Sequence, residues 1–147
     1  MKIQKTYMTK TAEITRKCYV LDANNQILGR IASQAAALLR GKHKASFTPN
    51  LDTGDTVIII NADKIRVTGK KLTQKQYQRF TGYPGGQRLT KLEDLLKRRP
   101  TVVMELAVYR MLPKGPLGDK VRRKLKIYAG DKHPHQSQNP IPFAFSS

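Results

Sequence analysis

The sequence predicts one α/β domain with a largely parallel sheet. Thr56 to Asn61 form a continuous run of mainly β-branched residues, as expected of a strand that is covered on both faces. Apolar residues at helical spacing occupy 28–39, between this run and an earlier strand-like segment. Strand and helix patterns then alternate without an internal repeat or a long linker, which favours a parallel sheet.

The first half of the chain contains three predicted strands and one helix. Cys18–Asp22 forms the first strand, and the polar residues 23–26 form a turn. The amphipathic helix over 28–39 should stop at Gly41. A shorter strand, Ile65–Thr68, follows the β-branched run.

The second half is predicted to be mainly helical. Thr90 and Glu93 have the spacing of a capping box, in which each side chain bonds the other residue's backbone amide, so a helix should begin there. A buried helix is expected over 102–112. Pro116 can start a short basic helix, and a last strand is expected over 125–129.

The sequence predicts three parts: a basic N-terminal arm (1–17), an α/β domain (18–130), to which the charge pattern below assigns RNA binding, and an extended C-terminal tail (131–147). The tail contains three prolines and shows little periodicity. The longest purely aliphatic run, Val57–Ile60, is far too short to span a membrane. Cys18 is the single cysteine, so no internal disulfide can form, which suits a reducing compartment.

The net charge of +18 is the strongest indication of function. Residues 51–69 carry three aspartates against one lysine and one arginine, a net −1, which leaves +19 on the rest of the chain. Such a basic surface is typical of a protein that binds nucleic acid, and less often of one that binds an acidic membrane. A domain that only has to stay soluble needs a net charge of about 2–8.

The densest charge lies in 110–130, with seven lysines or arginines and one aspartate. Like charges on one short helix repel each other, and a bound polyanion would offset that repulsion. Leu117, Val121 and Leu125 should form the inner face of the basic helix, which leaves its cations pointing outward. We therefore predict that this helix contacts phosphates.

Two further basic segments are candidates. A cation interacts favourably with the C-terminus of a helix, but this interaction could explain only one of the basic residues between Arg40 and Lys44. We therefore favour a corner that contacts phosphates. Between 70 and 88, basic residues alternate with aromatic ones such as Tyr77 and Phe80. These rings could stack on bases, or they could pack on the sheet.

Two other motifs leave alternatives open. Asp52-Thr-Gly54 matches the short signature of aspartic proteases, which need two carboxylates, so a homodimer would be required. The other interpretation is a turn whose aspartates bond backbone amides. His133 and His135 could bind a metal, but no further Cys or His lies near them, and a tail that contacts RNA is favoured.

Several longer motifs are specific when taken together: Leu28-Gly-Arg-Ile-Ala32, Gly41-Lys-His-Lys44, Phe47-Thr-Pro49, Asp52-Thr-Gly-Asp55, Met111-Leu-Pro-Lys-Gly-Pro-Leu-Gly118 and Leu125-Lys-Ile-Tyr-Ala-Gly130. With these motifs the chain resembles the bacterial-type ribosomal protein L-thirteen family of the large subunit, from about Cys18 to Gln138. The resemblance implies a three-layer α/β/α sandwich around a four-stranded, mostly parallel sheet. It also implies that Asp-Thr-Gly is a turn of the family, with no proteolysis.

The resemblance further implies direct binding to large-subunit ribosomal RNA, contact with neighbouring ribosomal proteins and an early role in subunit assembly. It implies no catalysis or cofactor, and no metal, small-molecule substrate or membrane is expected. The expected location is the ribosome in a bacterial cytoplasm, with an organellar ribosome as the alternative. A non-ribosomal nucleic-acid chaperone is the rival function. The residues predicted to bind RNA are Arg30, Arg40, Lys42, His43, Lys44, Lys70, Lys71, Lys75, Tyr77, Arg79, Arg88, Lys114, Lys120, Arg122, Arg123, Lys124, Lys126, His133 and His135.

Overall fold

The computed structural model describes residues 8–143, so Lys2 and Lys5 of the predicted arm lie outside the described residues. The strands are β1 (Cys18–Asp22), β2 (Thr56–Ile60), β3 (Gln76–Phe80), β4 (Gln87–Lys91), β5 (Leu125–Ile127) and β6 (Ile141–Pro142). The helices are α1 (Leu28–Arg40), α2 (Lys71–Gln74), α3 (Leu92–Arg98), α4 (Pro100–Tyr109) and α5 (Pro116–Arg122), and short 3-10 turns lie at Thr11–Glu13 and Gln136–Gln138. No helix in the described range is long and apolar enough to cross a membrane.

Four strands form the main sheet in the order β5-β2-β1-β6, and every neighbouring pair is parallel. The strand β2 is covered on both faces as predicted, because Val57, Ile58 and Ile59 are fully buried. Partners in a parallel pair point to the same face, so Val57 and Ile59 share one face with Tyr19 and Leu21. This face packs on the main core. The predicted α/β class with a four-stranded parallel sheet is confirmed.

The main core lies between this face of the sheet and the helices. The apolar stripe predicted for the first helix is confirmed, since α1 buries Leu28, Ile31, Ala32, Ala35, Ala36, Leu38 and Leu39. The helix ends at Gly41, whose positive φ of 83° suits a residue without a side chain. The helix α4 contributes Val103, Met104 and Val108 to the same core, and it packs against α1 and α3.

The fourth strand of the sheet differs from the predicted one. Ile65–Thr68 is not a strand; Arg66 makes only an isolated bridge to Ile27, beside the start of α1. The strand β6 takes the fourth place instead, at the edge next to β1. Pro142 fits an edge strand because it has no N–H to donate to a further strand.

The predicted tail crosses the other face of the sheet. The Cys18 thiol donates to Oε1 of Gln138 at 3.7 Å, and the hydroxyl of Tyr128 shares a hydrogen bond of 2.8 Å with Nε2 of His135. Cys18 is half-buried, and this burial raises the pKa of its thiol. The described part of the predicted tail, residues 131–143, is therefore part of the folded domain.

The strands β3 and β4 form a separate antiparallel hairpin that the sequence pattern did not predict. This hairpin also explains why the predicted capping box is wrong. Thr90 pairs with Tyr77 in the hairpin, so α3 begins at Leu92, with Lys91 at the N-cap and no side-chain cap bond. Glu93 instead accepts a hydrogen bond of 2.7 Å from Lys97, which lowers the pKa of the Glu93 carboxyl.

The turn at 51–55 packs tightly against the end of α1, which yields a stability prediction. A Cβ at Gly54 would overlap the carbonyl oxygen of Leu39. Because the overlapped atom belongs to the backbone and cannot turn away as a flexible side chain could, Gly54→Ala is expected to lower the free energy of unfolding by about 3 kcal/mol, measured by urea denaturation. Gly130→Ala is the matched control, since its Cβ meets nothing within 4 Å, and it should change stability by less than about 0.5 kcal/mol. Equal effects of the two substitutions would contradict this packing.

Candidate nucleic-acid interface

A buried carboxylate organises the basic residues around the turn at 51–55. Asp55 is fully buried, and its Oδ1 accepts hydrogen bonds from the Lys17 amide at 2.8 Å and from Lys44 Nζ at 2.6 Å. Nε2 of His43 lies 2.8 Å from Oδ2. Lys44 Nζ also donates to the Thr15 carbonyl at 2.7 Å. One carboxylate thus joins the N-terminal arm to the basic corner at the end of α1.

Asp52 connects the same turn to the start of β5. Its Oδ2 lies 2.5 Å from Lys124 Nζ and 3.8 Å from Nη2 of Arg16. Lys124 Nζ also donates to the Gly54 carbonyl at 3.1 Å. The predicted turn role therefore holds for Asp55, which bonds a backbone amide, whereas Asp52 pairs with cations. This pairing argues against the protease interpretation, in which the partner of Asp52 would be a second carboxylate. Asp52, Asp55, Arg16, His43, Lys44 and Lys124 are called the aspartate cluster below.

Three of the predicted RNA contacts are members of the aspartate cluster. Only 17% of the Lys44 side chain, 15% of that of Lys124 and 31% of that of His43 are exposed, and each faces an aspartate. Lys44 and Lys124 are thus partly neutralised within the protein, so they hold segments in place. In contrast, Lys42 is exposed and has no ion pair within 8–143, while the guanidinium of Arg40 lies over the Phe47 ring at 5.6 Å.

The basic helix α5 presents its charge outward. Val121 is buried on its inner face as predicted, and Leu117 is half-buried beside it. Arg122 is held by Glu105 at 2.8 Å and lies 4.5 Å from the centroid of the Tyr109 ring. The hydrogen bond to Glu105 raises the pKa of Arg122. The exposed cations of this region without an ion pair in the described chain are Lys114, Lys120, Arg123 and Lys126.

Tyr77 requires a correction, because it was predicted among the residues that contact RNA. Its side chain is buried against the core, 7% exposed, so its ring is not available to stack on a base. Burial raises the pKa of its hydroxyl, an effect that nearby Arg110 partly opposes. The exposed aromatic side chains of the hairpin region are Phe80 and Tyr83.

Two arginines face each other across the hairpin. Arg79 and Arg88 are direct partners in the antiparallel pair, and both are exposed. Tyr77, two residues from Arg79 along β3, lies on the same face. Like charges directly opposite each other destabilise a hairpin, and neither arginine has an ion pair in the described chain. An anion bound between them would remove this repulsion.

The other predicted contacts are spread over the surface. Arg30 and Lys70 are exposed, on α1 and just before α2. Lys71 donates to Thr68 Oγ1 at 3.2 Å, and Lys75 lies over the Tyr77 ring. The rings of His133 and His135 stack, with centroids 6.5 Å apart. Residues 8–143 contain no group of three or more His, Cys, Asp or Glu side chains placed to hold a metal ion.

The set predicted from the sequence omits Arg110. Its guanidinium lies over the Tyr77 ring at 5.7 Å, close to Lys75, which lies over the same ring at 5.4 Å. Because Arg110 and Lys75 are far apart in the sequence, only the packing of α4 beside the hairpin shows that they are neighbours. The high charge of 110–130 was the one signal that could have included Arg110.

Comparison with known proteins identifies the family. Residues 16–134 match the family model described as Ribosomal protein L13. The chain belongs to this family. It is 56% identical over 140 residues to the large ribosomal subunit protein uL13 of Symbiobacterium thermophilum, a match that covers 95% of this chain and 98% of that protein. It is also 56% identical over 138 residues to uL13 of Mycolicibacterium smegmatis, with 94% of each chain covered. The resemblance inferred from the motifs is thereby confirmed, and the chain is a ribosomal protein.

The buried position of Asp55 generates a prediction about the cluster. Removing one partner of a buried ion pair leaves the others unpaired, so Asp55→Asn is expected to lower the free energy of unfolding by about 3 kcal/mol, measured by urea denaturation. Asp63→Asn is the control, because Asp63 is exposed and has no ion pair within 8–143; it should change stability by less than about 0.5 kcal/mol. A fully stable Asp55→Asn variant would show that the cluster does not hold the fold together.

Proposed function

We propose that this chain is a structural, non-enzymatic constituent of the large ribosomal subunit and that it binds large-subunit ribosomal RNA directly. The observation that carries the proposal is the division of its cations. Lys44 and Lys124 of the aspartate cluster are largely buried and paired with aspartates, whereas Lys42, Lys114, Lys120, Arg123 and Lys126 are exposed without an ion pair in the described residues. The relatives named as large ribosomal subunit proteins agree with this role.

The proposed mechanism is neutralisation of RNA segments that repel one another. Contacts with phosphates fix the position of the protein, and the shape of the folded RNA supplies most of the specificity. A protein whose basic segments are already held in fixed positions can bring such RNA segments together early in assembly. Neighbouring ribosomal proteins are the second proposed class of partner, and the ribosome of a bacterial cytoplasm is the proposed location.

The rival function, a chaperone for many RNAs, requires a different binding specificity. A chaperone would bind unrelated RNAs with similar affinity, whereas the ribosomal role requires a preferred fragment of large-subunit RNA. The fixed geometry of the aspartate cluster favours the ribosomal role, because it holds the basic segments in one arrangement.

The proposal is tested by measuring affinity for a large-subunit ribosomal RNA transcript at several salt concentrations. About 6–10 phosphate contacts would reduce the affinity by roughly 10³–10⁵ between ~50 and ~200 mM salt. The double variant Lys120→Gln/Arg123→Gln should keep its fold, because glutamine resembles both residues in helix propensity and the inner face of α5 is unchanged. The slope of log affinity against log salt should fall by up to about two units.

The control for this experiment removes the same charge from another helix. Lys97→Gln/Arg98→Gln changes the last turn of α3, where Lys97 is already paired with Glu93. This control should change the slope by less than about one unit. If both double variants lower the slope equally, α5 has no special role in the interface. If wild-type binding is insensitive to salt, the interface is not electrostatic and the proposed function is wrong.

A further inference from the structure

A cleft of about 560 Å³ opens beside the first turn of α1, at the base of the hairpin. Its walls come from the start of α1, from the segment before α2, from α2 and from the end of α4. The apolar side chains in its walls are those of Ile27, Leu28, Val67, Ala107 and Met111, and Gly29 lies among them. Its volume lies within the range of about 300–1,000 Å³ that is usual for ligand sites.

The cleft has apolar walls and a basic rim. Lys71, Lys75 and Arg110 line it, and none of its lining residues is acidic. The Tyr77 ring holds Lys75 and Arg110 in place through cation–π contacts at 5.4 and 5.7 Å. These cations are thus positioned by neutral groups, and no carboxylate in 8–143 forms an ion pair with them. A ligand for this cleft should therefore combine an apolar part with negative charge.

Gly29 has no steric reason to be glycine in the described structure. Its φ is not positive, and a Cβ built on it meets nothing within 4 Å. This differs from Gly54 and Gly118, where a carbonyl oxygen occupies the space of the Cβ. Glycine in a helix costs about 0.5–1 kcal/mol relative to alanine. The open space at Gly29 lies in the cleft wall, which suits the close approach of a molecule from outside.

The basic rim continues onto the hairpin. Arg79 and Arg88 lie on the hairpin face that carries Tyr77, farther toward its tip. They therefore extend the line of cations that begins with Arg110 and Lys75. A flexible chain with regularly spaced negative charges could contact both the rim and this arginine pair. RNA backbone has such charges, at one phosphate per nucleotide.

We propose that the cleft receives one unstacked nucleotide of the bound RNA. The base enters between the apolar walls next to Gly29, and the adjoining phosphates contact Lys71, Lys75 and Arg110. Proteins commonly recognise RNA through unstacked bases of loops and bulges, and arginine suits phosphate geometry. This inference rests on the proposed function and adds a specific subsite to it, separate from α5.

The test is chemical probing of a large-subunit ribosomal RNA transcript bound by the full chain, with reagents that modify unpaired bases. Gly29→Met places a long side chain in the open space beside Gly29, where the base would enter. The control Gly130→Met makes the same exchange at a glycine outside the cleft whose Cβ also meets nothing within 4 Å; both keep the charge unchanged. At saturating protein, wild type and Gly130→Met should protect one nucleotide that Gly29→Met leaves reactive, while protection elsewhere is unchanged. The affinity of Gly29→Met should be about tenfold lower, which corresponds to about 1.4 kcal/mol.

Thermal unfolding separates this effect from misfolding. Gly29→Met should melt at or above the wild-type temperature, because methionine favours helix more than glycine does. Arg110→Gln provides a second variant that leaves the cleft walls intact, and it should lower the slope of the salt dependence by about one unit. Should Gly29→Met prove unstable, an Arg110→Gln variant with unchanged slope and unchanged base protection would by itself overturn the proposal.

The outcomes distinguish this inference from the proposed function. If Gly29→Met protects every base that wild type protects and binds with equal affinity, the cleft holds no nucleotide and the inference is wrong, although RNA binding stands. If Gly29→Met changes no base reactivity but releases a neighbouring protein from assembled subunits, the occupant is a protein, and the inference is again wrong. If wild type itself protects no base and binds without salt dependence, the proposed function fails first.

Discussion

The rest of the structure depends on the two carboxylates of the turn at 51–55. A chain with a net charge of +18 must bring several basic segments together in order to fold, and those segments repel one another. Asp55 draws the arm and the corner after α1 to one point, and Asp52 adds the start of β5. Burying a charge is favourable only when it is paired and hydrogen-bonded, and Asp55 accepts hydrogen bonds from the Lys17 amide and from Lys44 Nζ. The least basic part of the chain is therefore the part that fixes the positions of the most basic parts.

This arrangement separates two kinds of cation that look alike in the sequence. Lys44 and Lys124 are bound inside the protein, where they position the backbone. Lys120 and Arg123 have no ion pair in the described chain and face outward, as a phosphate contact requires. In the proposed function, bound RNA would relieve the repulsion that remains among the outward cations. Stability of the free protein and the proposed affinity for RNA would then rely on different residues, so they can be tested by different substitutions.

Much of this fold could be predicted from local patterns. The strand β2 and the helix α1 have strong patterns because each buries a regular set of apolar side chains. The strand β6 could not be predicted from the sequence. It has only two residues, one of them Pro142, and they form a strand only because they pair with the free edge of β1. The hairpin has mostly polar cross-strand pairs, so it lacks apolar alternation, and its pairing takes Thr90 away from the expected helix cap. For the site, charge density marks the basic segments, but only the folded structure shows which cations pair with the aspartates and that Arg110 lies beside Lys75.

The central claim is that this chain is a constituent of the large ribosomal subunit, where phosphate contacts of its outward cations and the shape of the folded RNA are proposed to hold it. The most direct measurement is sedimentation of a cell extract through a gradient in high salt, with detection of this chain in every fraction. High salt removes proteins that adhere only through nonspecific surface charge, whereas a constituent whose fit to the shape of the folded RNA adds to its phosphate contacts is expected to be retained. The account predicts that the chain sediments with large subunits. A chain found only at the top of the gradient would contradict it.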